Sequence, residues 1–547
     1  MPSRRRFLLH AARLSGGVLV TSLLAACGPA APASPTAAPK TEAKPAEQKP
    51  AAPGVQASPA AQAQPAPGQP RRGGTLRAGY WQEHKTLDPH LSLQVNERWL
   101  MYAVYNTLVG TDEQFNPQPE LAESWSNPDP KTYLFKLRQG VKFHDGTDFD
   151  AAAVKWNIDR LKDPATKSPR INDVAVVQSV EVVDRDTVKF NLSQPYAPLL
   201  AVLMDRPGFM VSPSAVQKLG PDFGRNPVGT GPFKFVQWTE GQGVTVERNP
   251  SYWNPAEPYL ERIEFRVVTD PTVRVTMLRS GELDLIDRID SKDVATIREN
   301  PNLKLLQFNG GAWFGWQWWV DKPPFDNQLV RQAIAWGINR EALGKIHWNG
   351  YGHIPPGPVT IPWAGGDAIQ PIGYDPAKAK SLLAQAGRGG GFEETLTVRG
   401  QPEDTRLGEL IQAQLADLGV KVNLATISPN EWTAAQQERQ INWTTTSWTQ
   451  RADPDGLLSL LVKTKGTANT LGYSNPQVDD LLAKAAAIYD REQRRPLYQQ
   501  IMQIVVDDAP FVYLWQPAYF YGLAKQVEGV PDIPDNILRV RGIWLNT

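Results

Sequence analysis

The chain has 547 residues, with 57 basic and 57 acidic side chains, 41% hydrophobic and 21% charged residues. This is an ordinary globular composition, and at roughly 150 residues per domain the length suggests three domains or one large bilobal unit. The even charge balance argues against nucleic acid as a partner and against a polybasic membrane-surface protein, and a single Cys excludes an internal disulfide framework or a multi-cysteine metal site.

The N-terminus accounts for that Cys. Ser3-Arg4-Arg5-Arg6-Phe7-Leu8 precedes an apolar run from Leu14 to Ala26, too short to span a bilayer, and this is the pattern of an export signal. The paired arginines resemble a twin-arginine signal, while an Arg-rich start also suits the general secretory route. The run ends in Leu24-Ala25-Ala26-Cys27, which looks like a bacterial lipobox. Residues 1–27 therefore read as a signal peptide with Cys27 as the lipidated mature N-terminus. The protein is expected in the periplasm or anchored to the outer face of the cytoplasmic membrane. Cleavage removes Arg4, Arg5, Arg6 and Arg13, leaving 53 basic against 57 acidic residues. Residues 28–72 are mostly Pro and Ala without apolar periodicity, a composition that cannot bury enough surface to offset its ordering entropy. At about 3.1 Å per residue this tether reaches on the order of 140 Å.

The globular part opens on a strand at 75–80. A helix is predicted over 95–107, a strand over 131–137, and a helix capped by Asp150 with Val154, Ile158 and Leu161 on one face. Residues 179–183 and 187–192 read as a hairpin, followed by strands at 233–238, 244–248 and 263–268. After about residue 310 the pattern is more helical: 327–338, 375–385, 405–418, 430–439, 475–489 and 491–508, with strands at 396–399, 421–425 and 511–514. Mixed strands and helices over this length predict α/β layers in two lobes. No period of 20–50 residues marks a solenoid or propeller.

The common catalytic signatures are missing. There is no phosphate-binding loop, no Gly-x-Ser-x-Gly and no His-Glu-x-x-His, and Gly229-Thr230-Gly231 runs into Pro232 without a third glycine. His347 and His353 are close in sequence, but Gly350 and Gly352 between them read as a solvated loop.

Several segments carry a resemblance. Gly73-Gly74-Thr75-Leu76, Thr86-Leu87-Asp88-Pro89, Tyr105-Asn106-Thr107-Leu108 and Pro119-Glu120-Leu121-Ala122-Glu123-Ser124-Trp125 are followed by the run from Phe135 to Gly146, FKLRQGVKFHDG. Pro227-Val228-Gly229-Thr230-Gly231-Pro232-Phe233, Gly281-Glu282-Leu283-Asp284 and Val330-Arg331-Gln332-Ala333-Ile334 continue it in order. Together they resemble the family 5 extracellular solute-binding proteins of bacterial ABC importers, the dipeptide-, oligopeptide- and nickel-binding group. The resemblance implies a bilobal, periplasmic-binding-protein-like α/β fold of the class II type, with an extra subdomain in the first lobe. By analogy the first lobe comprises 73–110, 229–309 and 518–547, the inserted subdomain 111–228, and the second lobe 310–517. It further implies a monomer that encloses a peptide or another small-molecule ligand and delivers it to ABC permease subunits. An oligosaccharide or an anionic non-peptide solute is the alternative, and a tethered hydrolase or sensor is the alternative of another class. No catalytic residue, metal or cofactor is expected, and no nucleic acid partner.

The ligand-binding candidates follow from the same resemblance. One crossing between lobes falls near residues 309–319, where Trp313, Trp316, Trp318 and Trp319 crowd one strand. Trp316 and Trp318 share one face, and Trp313, Gln317 and Trp319 the other. One face is expected to look into the cleft, and Trp rings suit aromatics, sugars and cations alike. The second crossing is expected near residues 514–521. The run Thr446-Ser447-Trp448-Thr449-Gln450-Arg451-Ala452-Asp453-Pro454-Asp455 resembles the loop in which peptide-binding relatives place an Asp against the ligand's α-ammonium. Matched from Trp448, that Asp falls on Arg451, with Asp453 as the substitute; in the family pattern Asp-Pro at this point is a turn. A cation there repels an ammonium in a dry cleft. Trp316, Trp318, Trp319, Trp448, Arg451, Asp453 and Tyr80 are the candidate ligand-binding residues.

Overall fold

The computed structural model describes residues 69–309 and 311–546. The signal peptide, Cys27 and most of the Pro/Ala stretch lie outside the described residues.

The frame is a 12-stranded mixed sheet. At one end Thr75–Tyr80 runs parallel to Arg262–Val267, and Gly243–Arg248 and Phe233–Thr239 continue antiparallel to the edge. At the other end Phe392–Arg399 lies between two parallel neighbours, Val420–Ile427 and Trp443–Thr449, and the latter pairs with Ala312–Trp318. A single 14-residue strand, Phe511–Ala524, joins the two ends. Its residues 511–515 pair with 314–317, and its residues 518–524 pair with 303–309. Alternation of aromatic and aliphatic residues through this strand lets it bury both faces along nearly its whole length.

Each end of the sheet has its own cores. Leu76, Tyr80, Trp99, Phe265 and Tyr521 belong to one, with a satellite around Leu278, Ile286 and Ile297. At the far end, one face of the Ala312–Trp318 strand packs Trp316 and Trp318 with Ile334, Leu396 and Ile411, while the other packs Trp313 with Leu458, Tyr498 and Tyr513. This two-lobed α/β arrangement is the one the family resemblance implies. A separate four-stranded antiparallel sheet, in the order Ala122–Asp129, Thr132–Leu137, Thr187–Leu192, Val177–Asp184, packs on the Ala151–Lys162 helix around Phe135, Val154, Ile158 and Phe190. Asp150 caps that helix by accepting from the Ala153 amide at 3.0 Å.

The sequence blocks find their reason here. His144 donates its amide to the Gly229 carbonyl at 2.8 Å, and its ring Nε2 lies 3.0 Å from the Gly231 carbonyl. A Cβ on Gly231 would sit 2.4 Å from the Val104 carbonyl carbon, so only glycine lets this loop lie on the backbone of the Glu97–Val104 helix end. Among the described residues no helix is long and apolar enough to cross a membrane.

Candidate functional site

A cavity of about 490 Å³ opens where the cores meet. One wall comes from the Glu97–Val104 helix, the Ile171–Val174 turn, residues 196–207 and the 535–539 segment. The opposite wall comes from residues 449–467, which include the Pro454–Leu461 helix. Leu457, Leu458 and Leu461 anchor that helix in the far core, and its N-terminus presents Arg451, Asp453 and Asp455 to the cavity.

The first wall is a set of linked charges. Arg98 Nη1 donates to Asp205 Oδ2 at 2.7 Å, and Arg206 Nη1 lies 3.8 Å from the same oxygen. Burial works to raise the Asp205 carboxyl, but Arg98, Arg206 and Arg451 hold it well below the usual carboxylate range. Arg206 donates to the Gln94 carbonyl at 2.6 Å and to Ser92 Oγ at 3.2 Å. Burial and then Arg98 push it down to about 9. Arg539 makes a two-bonded pair with Asp535, at 2.6 and 2.7 Å, and stacks over Tyr102 at 4.0 Å. Arg170 is held more loosely, with Nη1 at 3.5 Å from Asp173 and Nε at 3.4 Å from the Ser92 carbonyl.

On the facing wall the structure brings Arg451 into the cavity. Its methylenes lie over Gly456, where a Cβ would approach Arg451 Cβ to 3.3 Å. Its guanidinium makes no hydrogen bond and no ion pair with the described residues. Burial lowers its pKa, Asp173 and Asp205 pull it back up, and Arg170 and Arg98 push it down again. A half-buried guanidinium with no hydrogen-bond partner among the described residues has N–H donors that are chemically suited to an anion.

Asp453 is committed elsewhere. Arg494 Nη1 and Nη2 donate to its two oxygens at 2.7 and 2.8 Å, the Tyr498 hydroxyl lies 3.2 Å away, and Asp453 caps the Pro454–Leu461 helix through the Asp455 amide at 3.0 Å. With its charge matched and its lone pairs filled, it has nothing left for a ligand ammonium. Asp455 makes no ion pair among the described residues. Burial, then Asp453, pushes it up to about 6, and it accepts from Ser459 Oγ at 3.0 Å and from the Tyr196 hydroxyl of the opposite wall at 3.1 Å.

The structure keeps the aromatic candidates away from the cavity. Trp316, Trp318 and Trp319 are fully buried. Trp318 stacks on Phe325 at 4.9 Å and donates to the Ala509 carbonyl at 2.8 Å, and Trp316 meets Trp443 edge-on at 5.9 Å. The expectation that one face of this strand looks into the cleft is corrected, because its place inside the sheet puts a core on each face. Trp448 is half-buried against the core of the far lobe and pairs with Trp313 across the strands. Tyr80 is likewise corrected. It is fully buried, stacked on Trp99 at 5.9 Å, with its hydroxyl on the His84 ring. Arg98, Arg170, Tyr196 and Asp205 were not among the sequence candidates. The charged pair Asp205-Arg206 inside the otherwise apolar run from Leu199 to Met210 was the available signal. Among the described residues, no group of three or more His, Cys, Asp or Glu side chains is placed to hold a metal ion.

Comparison with known proteins places this site in context. Residues 116–469 match the family described as bacterial extracellular solute-binding proteins, family 5 Middle. The glutathione-binding protein GsiB of Shigella boydii serotype 4 is 33% identical over 462 residues, which cover 82% of this chain and 90% of that protein. Among solved structures, the periplasmic binding protein DppA of Helicobacter pylori, in complex with the peptide STSA, superposes with a TM-score of 0.77 at 28% identity, covering 87% of this chain and 99% of that one. AgaA of A. tumefaciens R10, in complex with agropinic acid, gives 0.75 at 29% identity with the same coverage.

Proposed function

The chain belongs to the family 5 bacterial extracellular solute-binding proteins, and we propose that it captures a small peptide-like solute through a carboxylate received by Arg451, for delivery to an ABC permease. Proteins of this family are transport receptors rather than enzymes. The observation that carries the reading is the unmatched Arg451 guanidinium in a cavity shared by two lobes. Guanidinium binds carboxylate through two parallel charge-assisted bonds, the strong kind. A solute held by both walls stabilises the closed arrangement alone, which is how occupancy becomes a shape that a permease can read.

The cavity volume lies in the range typical of small-molecule sites. The relative's glutathione, the STSA peptide and agropinic acid define the first compounds to try. Lipidation of Cys27 and the tether over 28–72 complete the proposal, keeping the receptor near the membrane while free to move.

The test is a thermal-shift screen of the secreted domain against these solutes and their carboxyl-blocked forms. A solute at 100 times its dissociation constant adds about 2.7 kcal/mol of stability. Stabilisation by a carboxylate form and not by its ester supports the reading. Equal stabilisation by both forms, or stabilisation only by sugars, contradicts it.

A further inference from the structure

The charges around the cavity do not balance, and the imbalance lies on both walls. The first wall sets Arg98, Arg170, Arg206 and Arg539 against Asp173, Asp205 and Asp535. On the facing wall Arg494 has already matched Asp453, so Arg451, Lys463 and Lys465 stand against Asp455 alone. Two guanidinium groups are under-satisfied. Arg451 has no polar partner among the described residues, and Arg170 has two contacts, both at the outer limit of hydrogen bonding, 3.4 and 3.5 Å. They come from opposite walls of one cavity. Arg98 and Arg170 both weaken the hold of Arg206 and of Arg451 on a proton, so the four cations sense one another across the space.

We propose that the transported solute carries two acidic groups, one received by Arg451 and the second by Arg170 on the opposite wall. The inference rests on the reading of Arg451 as a carboxylate receptor and adds to it the charge and the length of the solute. Without an anion, guanidinium groups on facing walls repel across a partly dry space, and closure is disfavoured. One carboxylate satisfies one wall only. A solute with acids at both ends answers both, so the same contacts that select the dianion also draw the lobes together. Asp173 helps to set the selectivity: at 3.5 Å it holds Arg170 in place without satisfying it.

The experiment measures calorimetric affinities for paired solutes: glutathione, γ-glutamylglycine and alanylglutamate, each beside the form with one carboxyl converted to an amide. The parent protein should bind the diacids at least about tenfold more tightly than the monoamides, the order expected for loss of one buried charge contact. Arg170→Gln should weaken the diacids and bring the ratio close to one for the monoamide that keeps the Arg451-facing carboxyl, Arg170→Lys should retain most of the ratio, and Arg451→Gln should weaken the diacids and that same monoamide. The melting temperature of unliganded Arg170→Gln reports whether the variant is folded; if it is not, the Lys variant decides by its ratio. Equal binding of diacid and monoamide, or an unchanged ratio in Arg170→Gln, overturns the inference and leaves the Arg451 reading standing. Binding of no carboxylate solute overturns both.

Discussion

Both oxygens of Asp453 face the guanidinium of Arg494, at 2.7 and 2.8 Å, and the pair is almost wholly buried. The acid that the sequence offers as the receptor for a peptide's ammonium is thus a structural anchor. It fixes the N-terminus of the Pro454–Leu461 helix to the Arg491–Asp508 helix, while Arg451, two positions earlier, makes no ion pair among the described residues.

Breaking this pair from one side leaves a bare buried charge. Arg494→Met should therefore cost about 3–5 kcal/mol of stability. The double variant Arg494→Met with Asp453→Asn should recover much of the loss, since no net charge remains buried. Denaturant unfolding of both variants checks this, and a single-variant loss below about 1 kcal/mol, the value of an exposed pair, contradicts the anchor role.

Arg451 should behave in the opposite way. It makes no hydrogen bond or ion pair among the described residues and feels Asp205 and Asp173 only at a distance, so Arg451→Ala should change the stability of the unliganded protein by no more than about 1 kcal/mol. Affinity for a carboxylate solute should fall by about 2–5 kcal/mol, tens-fold or more. Calorimetry and thermal melting of the same preparation separate the two effects.

The buried tryptophans make a contrasting prediction. Trp318→Ala removes a stacked, hydrogen-bonded core ring and should cost about 3–5 kcal/mol. Its affinity for solute, measured well below the new melting temperature, should match the parent. A selective loss of affinity without loss of stability would return this residue to the binding site.

Asp455 should give the protein a recognisable pH signature. Its folded value of about 6 lies above the unfolded carboxylate value, so its contribution to stability is full below the unfolded value and is lost as pH rises through about 6. Asp455→Asn mimics the protonated form and keeps an acceptor for Tyr196. It should raise stability at pH 8 by on the order of 2 kcal/mol and change little at pH 4. Melting curves of parent and variant at both pH values test the difference, and an equal gain at pH 4 and pH 8 rules out titration as its source.

Local signals make much of the fold legible. The Gly73-Gly74 pair sets off the strand at Thr75–Tyr80, Asp150 marks the start of the Ala151–Lys162 helix, and the Arg491–Asp508 helix is legible at both ends. Failures come where a local cue has two meanings. Asp453-Pro454 reads as a turn, but an Asp followed by Pro is also an N-cap followed by the first helical residue, and the Pro454–Leu461 helix begins there. The strand expected over 511–514 continues to Ala524 because its second half pairs with Leu303–Asn309, which lies far earlier in the chain. The site is the least legible part. Arg451 comes from matching one loop, but its neighbours Arg170, Asp173 and Tyr196 belong to the distant first wall, and no periodicity brings them to the same cavity. The tryptophans are bulky enough to suggest a ligand platform, yet local sequence does not reveal whether both sides of a strand are covered.

The Phe511–Ala524 strand has a consequence for how the molecule comes apart. It supplies ladder partners to Ala312–Trp318 at one end and to Leu303–Asn309 at the other. Melting of either lobe frees the half of this strand that is paired there, while the unbroken chain keeps it tied to the half still held in the other lobe. The shared strand is therefore expected to couple the two lobes, so that calorimetry shows one transition rather than two although each lobe has its own cores. A solute gripped in the cavity then raises the melting of the whole two-lobed body, and amide exchange at positions as remote as Leu76 in one core and Ile411 in another should slow along with that at the cavity walls.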